Sequence, residues 1–299
     1  MNDRSSFTAE TMALQRAFES NRATHDRLFT DAHAEAFLHG TLRMVAAMSR
    51  LPVLCEVVGA LYDAIAGVGP RASAIIRTRV IDDLVDGLAP SVGQVVILGA
   101  GFDCRAHRLP VLASKCVFEV DHPATQRTKR QVIQKHGLYR ADLNYVPVDF
   151  ERESFEKRLL TGGFNPKTNT LFLWEGVTNY LTAEAVEQTL ATIRNLGTTG
   201  GILIFTYVHA GVLDGSVHFQ EARRWLANVK RVGEPWTFGW RPEDLAEYLE
   251  ARRFVLESDV SMAEARGHLL GQQRRLRGAS ALYRVAVARP GSPGPTSWR

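Results

Sequence analysis

Three acidic residues recur at the ends of short apolar runs. Val117-Phe118-Glu119-Val120 finishes at Asp121, Val146-Pro147-Val148 at Asp149, and Leu171-Phe172-Leu173-Trp174 at Glu175. Upstream, Val95-Val96-Ile97-Leu98 runs straight into Gly99-Ala100-Gly101. Two glycines at that point let the backbone turn tightly and approach a ligand closely, since neither presents a Cβ. Asp121 stands 20 residues beyond Gly101, and an acid at the tip of the second strand can accept two hydrogen bonds from a ribose diol. The chemistry on offer is the binding of a nucleoside-containing cofactor. In the dinucleotide fingerprint a third glycine falls at position 104, where this chain has Cys104, which weakens the pyrophosphate reading. A nicotinamide-dependent oxidoreductase using Gly99, Gly101 and Asp121 stays open as an alternative, as does a non-catalytic cofactor-binding protein.

The elements that must position these residues follow from hydrophobic period. From Gln94 onward, β-branched runs alternate with amphipathic stretches: 94–98, 116–120, 145–148, 170–174 and 202–207. Continuous apolar strands separated by helices predict a parallel sheet covered on both faces. Right-handed crossovers then bring every C-terminal strand end to the side where open α/β sheets bind ligands. Two more strands are expected at 254–260 and 281–287, with no helix between them, after a helix from Arg241-Pro242 to Arg252. The expected fold is α/β: a Rossmann-like, seven-stranded, mostly parallel sheet with helices on both faces. Residues 1–90 read as a helical cap. Its helices are expected from Thr8, over Asp31–Leu38, over Pro52–Ala66, and over Ala72–Asp86, the last with an apolar stripe opposite Arg79, Asp82, Asp83 and Asp86. Residues 91–289 form the cofactor domain with an insert at 208–241, and 290–299, rich in Gly, Pro and Ser, are expected to be a disordered tail.

Taken in order, these motifs resemble the class I S-adenosylmethionine-dependent methyltransferases, and more closely the bacterial branch of the leucine carboxyl methyltransferase family. The resembling residues are Arg77-Thr78-Arg79 with Asp82-Asp83, Leu98-Gly99-Ala100-Gly101-Phe102-Asp103-Cys104-Arg105, Glu119-Val120-Asp121-His122-Pro123, Asp149-Phe150, and Glu175-Gly176-Val177-Thr178-Asn179-Tyr180-Leu181. The resemblance implies S-adenosyl-L-methionine as cofactor. It implies that Gly99 and Gly101 border the methionine part, Asp121 binds the ribose, and Asp149 with the backbone of Phe150 frames the adenine. It also implies that Arg77 pairs with the cofactor carboxylate, Glu175 sits near the amino group and sulfonium, and Tyr180 faces the transferred methyl.

In-line methyl transfer from a sulfonium depends chiefly on alignment. A carboxylate acceptor is already ionised at neutral pH, whereas a hydroxyl needs a base, for which His107, His122 and His209 are candidates, although each reads more readily as a capping or surface histidine. The acceptor is expected to be a small molecule. Glu234-Pro235-Trp236-Thr237-Phe238-Gly239-Trp240 puts three aromatics within five residues of the insert, so Trp236 and Trp240 are candidate walls for a flat or apolar substrate group.

Composition bounds the rest. The chain has 299 residues, 45% of them hydrophobic, and a net charge of +4, which excludes fibrous folds and wholesale disorder. Cys55, Cys104 and Cys116 form no C-x-x-C pair, so neither a disulfide framework nor a zinc ribbon is expected, and the spacing of the histidines favours no metal site. Glu56 and Asp63 interrupt the apolar stretch 51–68, which falls short of a membrane span. With no signal-like apolar start, a cytoplasmic protein is expected. Beyond Glu264 there are seven arginines and no acid, so the preceding body carries a net −3. That modest balance, with no RNA-binding appendage, argues against a nucleic-acid partner. Oligomeric state is not legible.

Overall fold

β1 (Gln94–Leu98) is buried along its whole length, because its neighbours lie on both edges and helices cover both faces. A computed structural model describes residues 7–149, 153–197, 200–271 and 276–291. In chain order its elements are α1 (Phe7–Ser20), α2 (Gly40–Met48), α3 (Pro52–Ala66), α4 (Pro70–Leu88), β1, α5 (Arg105–Arg108), β2 (Cys116–Asp121), α6 (Pro123–Lys135) and β3 (Leu143–Pro147). They continue with α7 (Phe155–Thr161), β4 (Thr170–Trp174), α8 (Ala183–Gly197), β5 (Ile202–Val208), α9 (Ala222–Arg231), α10 (Pro242–Glu250), β6 (Phe254–Ser261), α11 (Met262–Leu270) and β7 (Tyr283–Pro290). The sheet order is β3-β2-β1-β4-β5-β7-β6. β1 to β5 pair in parallel, and β7 runs antiparallel to both β5 and β6. The α/β, Rossmann-like sheet expected from the apolar runs is the one observed.

Side-chain alternation divides the core in two. Val95 and Ile97 point to a layer containing Ile75, Ile76, Ile81 and Val85 of α4 and Met262 and Ala265 of α11. Val96 and Leu98 point to the opposite layer, with Leu159 of α7, Val186 and Leu190 of α8, and Leu245 and Leu249 of α10. A third cluster joins Leu14 and Phe18 of α1 to Phe37, Phe102 and Ile133. α4 is therefore a layer of the sheet itself, while α1 to α3 lie over the ligand side.

Four local readings of the sequence change. Asp82, placed on the polar side of α4, is 5% exposed, because Arg105 and Arg108 bind it. The helix expected over 31–38 shrinks to a 3-10 turn at Ala34–Phe37, since the Asp31 carboxylate accepts from its own downstream His33 N–H at 3.1 Å and from Arg16 at 2.8 Å. α2 follows it, unforeseen. Likewise α11 fills the supposed helix-free link between β6 and β7. Its signal is legible in retrospect, because Ser261 and Glu264 form a reciprocal capping box. From residue 292 onward, the expected tail lies outside the described residues.

Order reverses at β1, whose neighbours β2 and β4 lead away in opposite directions, and that is where an open sheet leaves a crevice. Gly99 turns the chain there with φ +64°, and an added Cβ would stand 2.3 Å from Val177 Cγ2. Gly99→Ala should destabilise the fold by about 2–5 kcal/mol, combining about 1–2 for the left-handed backbone with about 1–3 for overpacking. Urea unfolding measures this, and adding Val177→Ala should recover the packing part alone; an unchanged midpoint for Gly99→Ala would contradict the argument.

Candidate functional site

The crevice opens into a cavity of about 1030 Å3 that reaches from the glycine turn to the α9 side of the molecule. At its floor the Gly99 and Ala100 amides donate to Val120 O at 2.8 and 3.2 Å, tying the turn to the end of β2. Asp121, next in line, accepts from the Gly101 amide and, at 2.6 Å, from the His122 amide. Burial nonetheless raises its carboxyl above the ordinary value, with those two amides pulling the other way. Asp149 lies just beyond β3 and also lines the cavity. Phe150 lies outside the described residues. Gly99, Gly101, Asp121, Asp149, Glu175 and Arg77 thus share one wall system.

A chain of ion pairs stiffens that wall. Arg77 Nε meets Glu175 Oε1 at 2.8 Å, and Arg105 Nη1 meets Glu175 Oε2 at 2.6 Å and Asp103 Oδ2 at 2.5 Å. Arg105 Nε reaches Asp82 at 2.8 Å, and Arg108 Nη1 holds the other Asp82 oxygen at 2.7 Å. Asp31 then links Arg108, at 3.8 Å, to Arg16 of α1, at 2.8 Å. Burial would raise the Glu175 and Asp103 carboxyls, but the arginines around them, Arg105 foremost, hold both below the ordinary carboxylate range. Arg105 Nη2 is buried with no hydrogen-bond partner among the described residues. Beneath the wall, Lys129 Nζ binds Glu119 at 2.7 Å and Asp103 O at 2.6 Å. Burial pushes the Glu119 carboxyl up to about 7 although Lys129 opposes the shift.

The other end of the cavity is aromatic. Tyr180 arrives on a 3-10 turn after β4, Trp236 on the loop after α9, Trp225 on α9 itself, and Tyr283 at the start of β7. Trp225 and Tyr283 stack with centroids 6.0 Å apart, and Trp236 stands 5.3 Å from Trp225. The Arg77 guanidinium lies 4.9 Å over the Tyr283 ring, joining the two ends. Trp240 is not among the cavity residues. Its backbone extends β5 through a bridge with His209, and its ring packs at 5.5 Å from Phe205 and 5.6 Å from Tyr207 in the opposite layer. The insert crosses between layers after residue 236, so of the two tryptophans only Trp236 faces the cavity and Trp240 is a packing residue. Among the candidate bases, His122 and His209 accept hydrogen bonds from the Ala124 and Gly211 amides as caps. Burial pushes His107 down to about 4. Among the described residues no group of three His, Cys, Asp or Glu is arranged to hold a metal, and no helix is long and apolar enough to cross a membrane.

Sheet order, glycine turn and the acid at the tip of β2 match the arrangement expected of a class I S-adenosylmethionine-dependent methyltransferase. The comparisons agree. Residues 9–194 match the family described as leucine carboxyl methyltransferase. A protein of Parafrankia sp. (strain EAN1pec) is 37% identical over 252 residues, covering 80% of this chain and 77% of the relative. One of Frankia alni is 36% identical over 202 residues, covering 67% and 68%. Both are named as S-adenosyl-L-methionine-dependent methyltransferases. A solved structure from Thermobifida fusca named as a methyltransferase superposes with a TM-score of 0.58 at 18% identity, over 79% of this chain and 89% of that one. The chain belongs to the leucine carboxyl methyltransferase family and is an S-adenosylmethionine-dependent methyltransferase, which sets aside the nicotinamide alternative and the non-catalytic one.

Sequence reading missed Arg105, Asp82, Trp225 and Tyr283 as site residues. Asp82 and Arg105 were visible as charges in the motifs, but nothing in their spacing shows that they meet. Arg105→Met should cost about 3–5 kcal/mol, because it strands buried carboxylates. Depressed carboxyls contribute stability above their unfolded values, near about 4, and lose it as pH falls through the folded values. Denaturant unfolding between pH 3 and 7 should therefore show wild-type stability falling at the acid end, and a flatter profile for Arg105→Met; parallel profiles would contradict the network.

Proposed function

We propose that the protein is an O-methyltransferase that methylates a carboxylate or hydroxyl group of a small molecule. What carries the reading is the continuity of a single cavity, with a cofactor-like wall of glycine turn and carboxylates at one end and an aromatic chamber at the other. The residues fit S-adenosyl-L-methionine. Asp121 presents a carboxylate fixed by two backbone amides, suited to a diol. Glu175 is kept anionic beside the turn, suited to a cationic ligand, and the Arg77 guanidinium supplies donors for a carboxylate. Gly99 and Gly101 let the backbone approach, and Asp149 with Phe150 is assigned to the adenine.

When bound, the cofactor supplies an activated methyl on sulfur. The chain's own residues supply placement. Glu175, locked between two guanidiniums, cannot swing, so the charge it presents is fixed in position. Burial raises the Tyr180 phenol above its ordinary value, which keeps it protonated as a hydrogen-bonding group facing the acceptor. Trp236 walls the acceptor, and α1 with the insert limits water. A carboxylate acceptor then needs only alignment, while a hydroxyl must also lose a proton.

Calorimetric titration with S-adenosylhomocysteine tests the assignment. Asp121→Asn, which keeps the side chain's shape, should weaken binding by about 10- to 100-fold, the worth of a hydrogen bond to a charged group; equal affinity would remove Asp121 from the site. Tyr180→Phe should lower kcat about tenfold while leaving cofactor affinity within about twofold, and the reverse pattern would place Tyr180 on the cofactor.

A further inference from the structure

Among the described residues the aromatic end of the cavity carries one carboxylate, that of Glu234, and its surroundings narrow the acceptor. Thr8, at the start of α1, donates its hydroxyl to Glu234 Oε2 on the loop after α9. Tyr180 lies near enough to both for their side chains to act on its phenol. All three residues line the cavity, next to Trp236. The Trp236 indole N–H is buried with no hydrogen-bond partner among the described residues. Around this polar end the walls are ring faces: Trp225 and Tyr283 stacked within 15° of parallel, with Trp236 tilted against them. At the mouth, Ile65 of α3 and Val232 after α9 are exposed and apolar.

Flat, stacked rings favour a planar apolar ligand through area and offset stacking. A carboxylate a few ångströms from the hydroxyl cluster repels an anionic acceptor and accepts a proton from a neutral one. We infer that the acceptor is an aromatic hydroxyl compound, lying against Trp225, Trp236 and Tyr283 with its hydroxyl between Tyr180 and Thr8, and that Glu234 acts through Thr8 to take its proton. In the transfer, an electron pair of the acceptor oxygen forms the new O–CH3 bond and the S–CH3 bond breaks with its pair left on sulfur. The hydroxyl proton passes to the Thr8 oxygen as the Thr8 proton moves to Glu234, from which solvent removes it. The products are an aryl methyl ether and the neutral thioether. This rests on the O-methyltransferase reading and selects its hydroxyl branch.

The test uses the full chain saturated with S-adenosylhomocysteine and three probes: 2-naphthol, 2-naphthoate and cyclohexanecarboxylate. Calorimetry should show 2-naphthol bound at least tenfold more tightly than either acid. Glu234→Gln, on a partly exposed loop, should strengthen 2-naphthoate binding several-fold, and Trp225→Ala should weaken 2-naphthol at least fivefold without changing cofactor affinity. Binding of the acids equal to or tighter than that of 2-naphthol, or no 2-naphthol binding up to about 1 mM, overturns the inference. With radiolabelled S-adenosylmethionine, methyl ester formation on the acids would keep the O-methyltransferase reading and sink this one, whereas label appearing only on amine or thiol probes would sink both. Where 2-naphthol is methylated, Glu234→Gln should also lower kcat at least tenfold while leaving the KM for 2-naphthol within about twofold; an unchanged kcat excludes the relay.

Discussion

One buried guanidinium, that of Arg105, sits where three carboxylates converge. Asp82 comes from α4, Asp103 from the turn after β1, and Glu175 from the end of β4, and Arg105 lies within 2.5 to 2.8 Å of an oxygen of each. Without it, three like charges in a half-buried pocket would repel by several kcal/mol, since a single pair at 4 Å is worth about 4 kcal/mol at an effective dielectric of 20. Arg77 and Arg108 complete the neutralisation from the flanks. The consequence is geometric as much as energetic. The tips of β1 and β4 and the helix beneath them are tied at fixed spacing, and the walls assigned to the cofactor inherit that rigidity.

The aromatic end of the cavity depends on the same anchor at one remove. Arg77 spans the distance, binding Glu175 on one side and lying over Tyr283 on the other. Tyr283 opens the antiparallel β7, and its ring backs Trp225 of α9. Residues from α1, α4, α9 and β7 therefore line one chamber although they are spread from position 8 to position 283. α1 closes it through Thr8 and Glu234, and is itself fixed to the wall by Arg16, which bridges Asp31 and Phe102 O.

β1, β4 and β5 were legible because each is fully buried and so reads as an unbroken apolar run, while β2 and β3, buried in part, kept enough apolar residues for the acids at or just beyond their ends to be counted. β3 begins two residues earlier than its apolar run, at Leu143, because pairing with β2 recruits Leu143 and Asn144. α11 was missed because its apolar period is weak, although Ser261 and Glu264 announced its start. Trp240 misled for a different reason: three aromatics in five residues say nothing about which side of a sheet each one meets, and the bridge to His209 sends Trp240 to the far layer.

By itself the sequence determined the sheet, the turn at Gly99 to Gly101, and the acids at the strand tips, because these rest on local rules of period two, glycine conformation and strand length. The family resemblance rested on the same ordered motifs. Only the tertiary structure decided that Asp82, Asp103 and Glu175 share Arg105, that Trp225 and Tyr283 join Trp236 and Tyr180, and that Thr8 meets Glu234 across 226 residues. Burial and pairing are properties of space between elements, and a charge on a helix face looks the same in sequence whether solvent or another chain segment covers it.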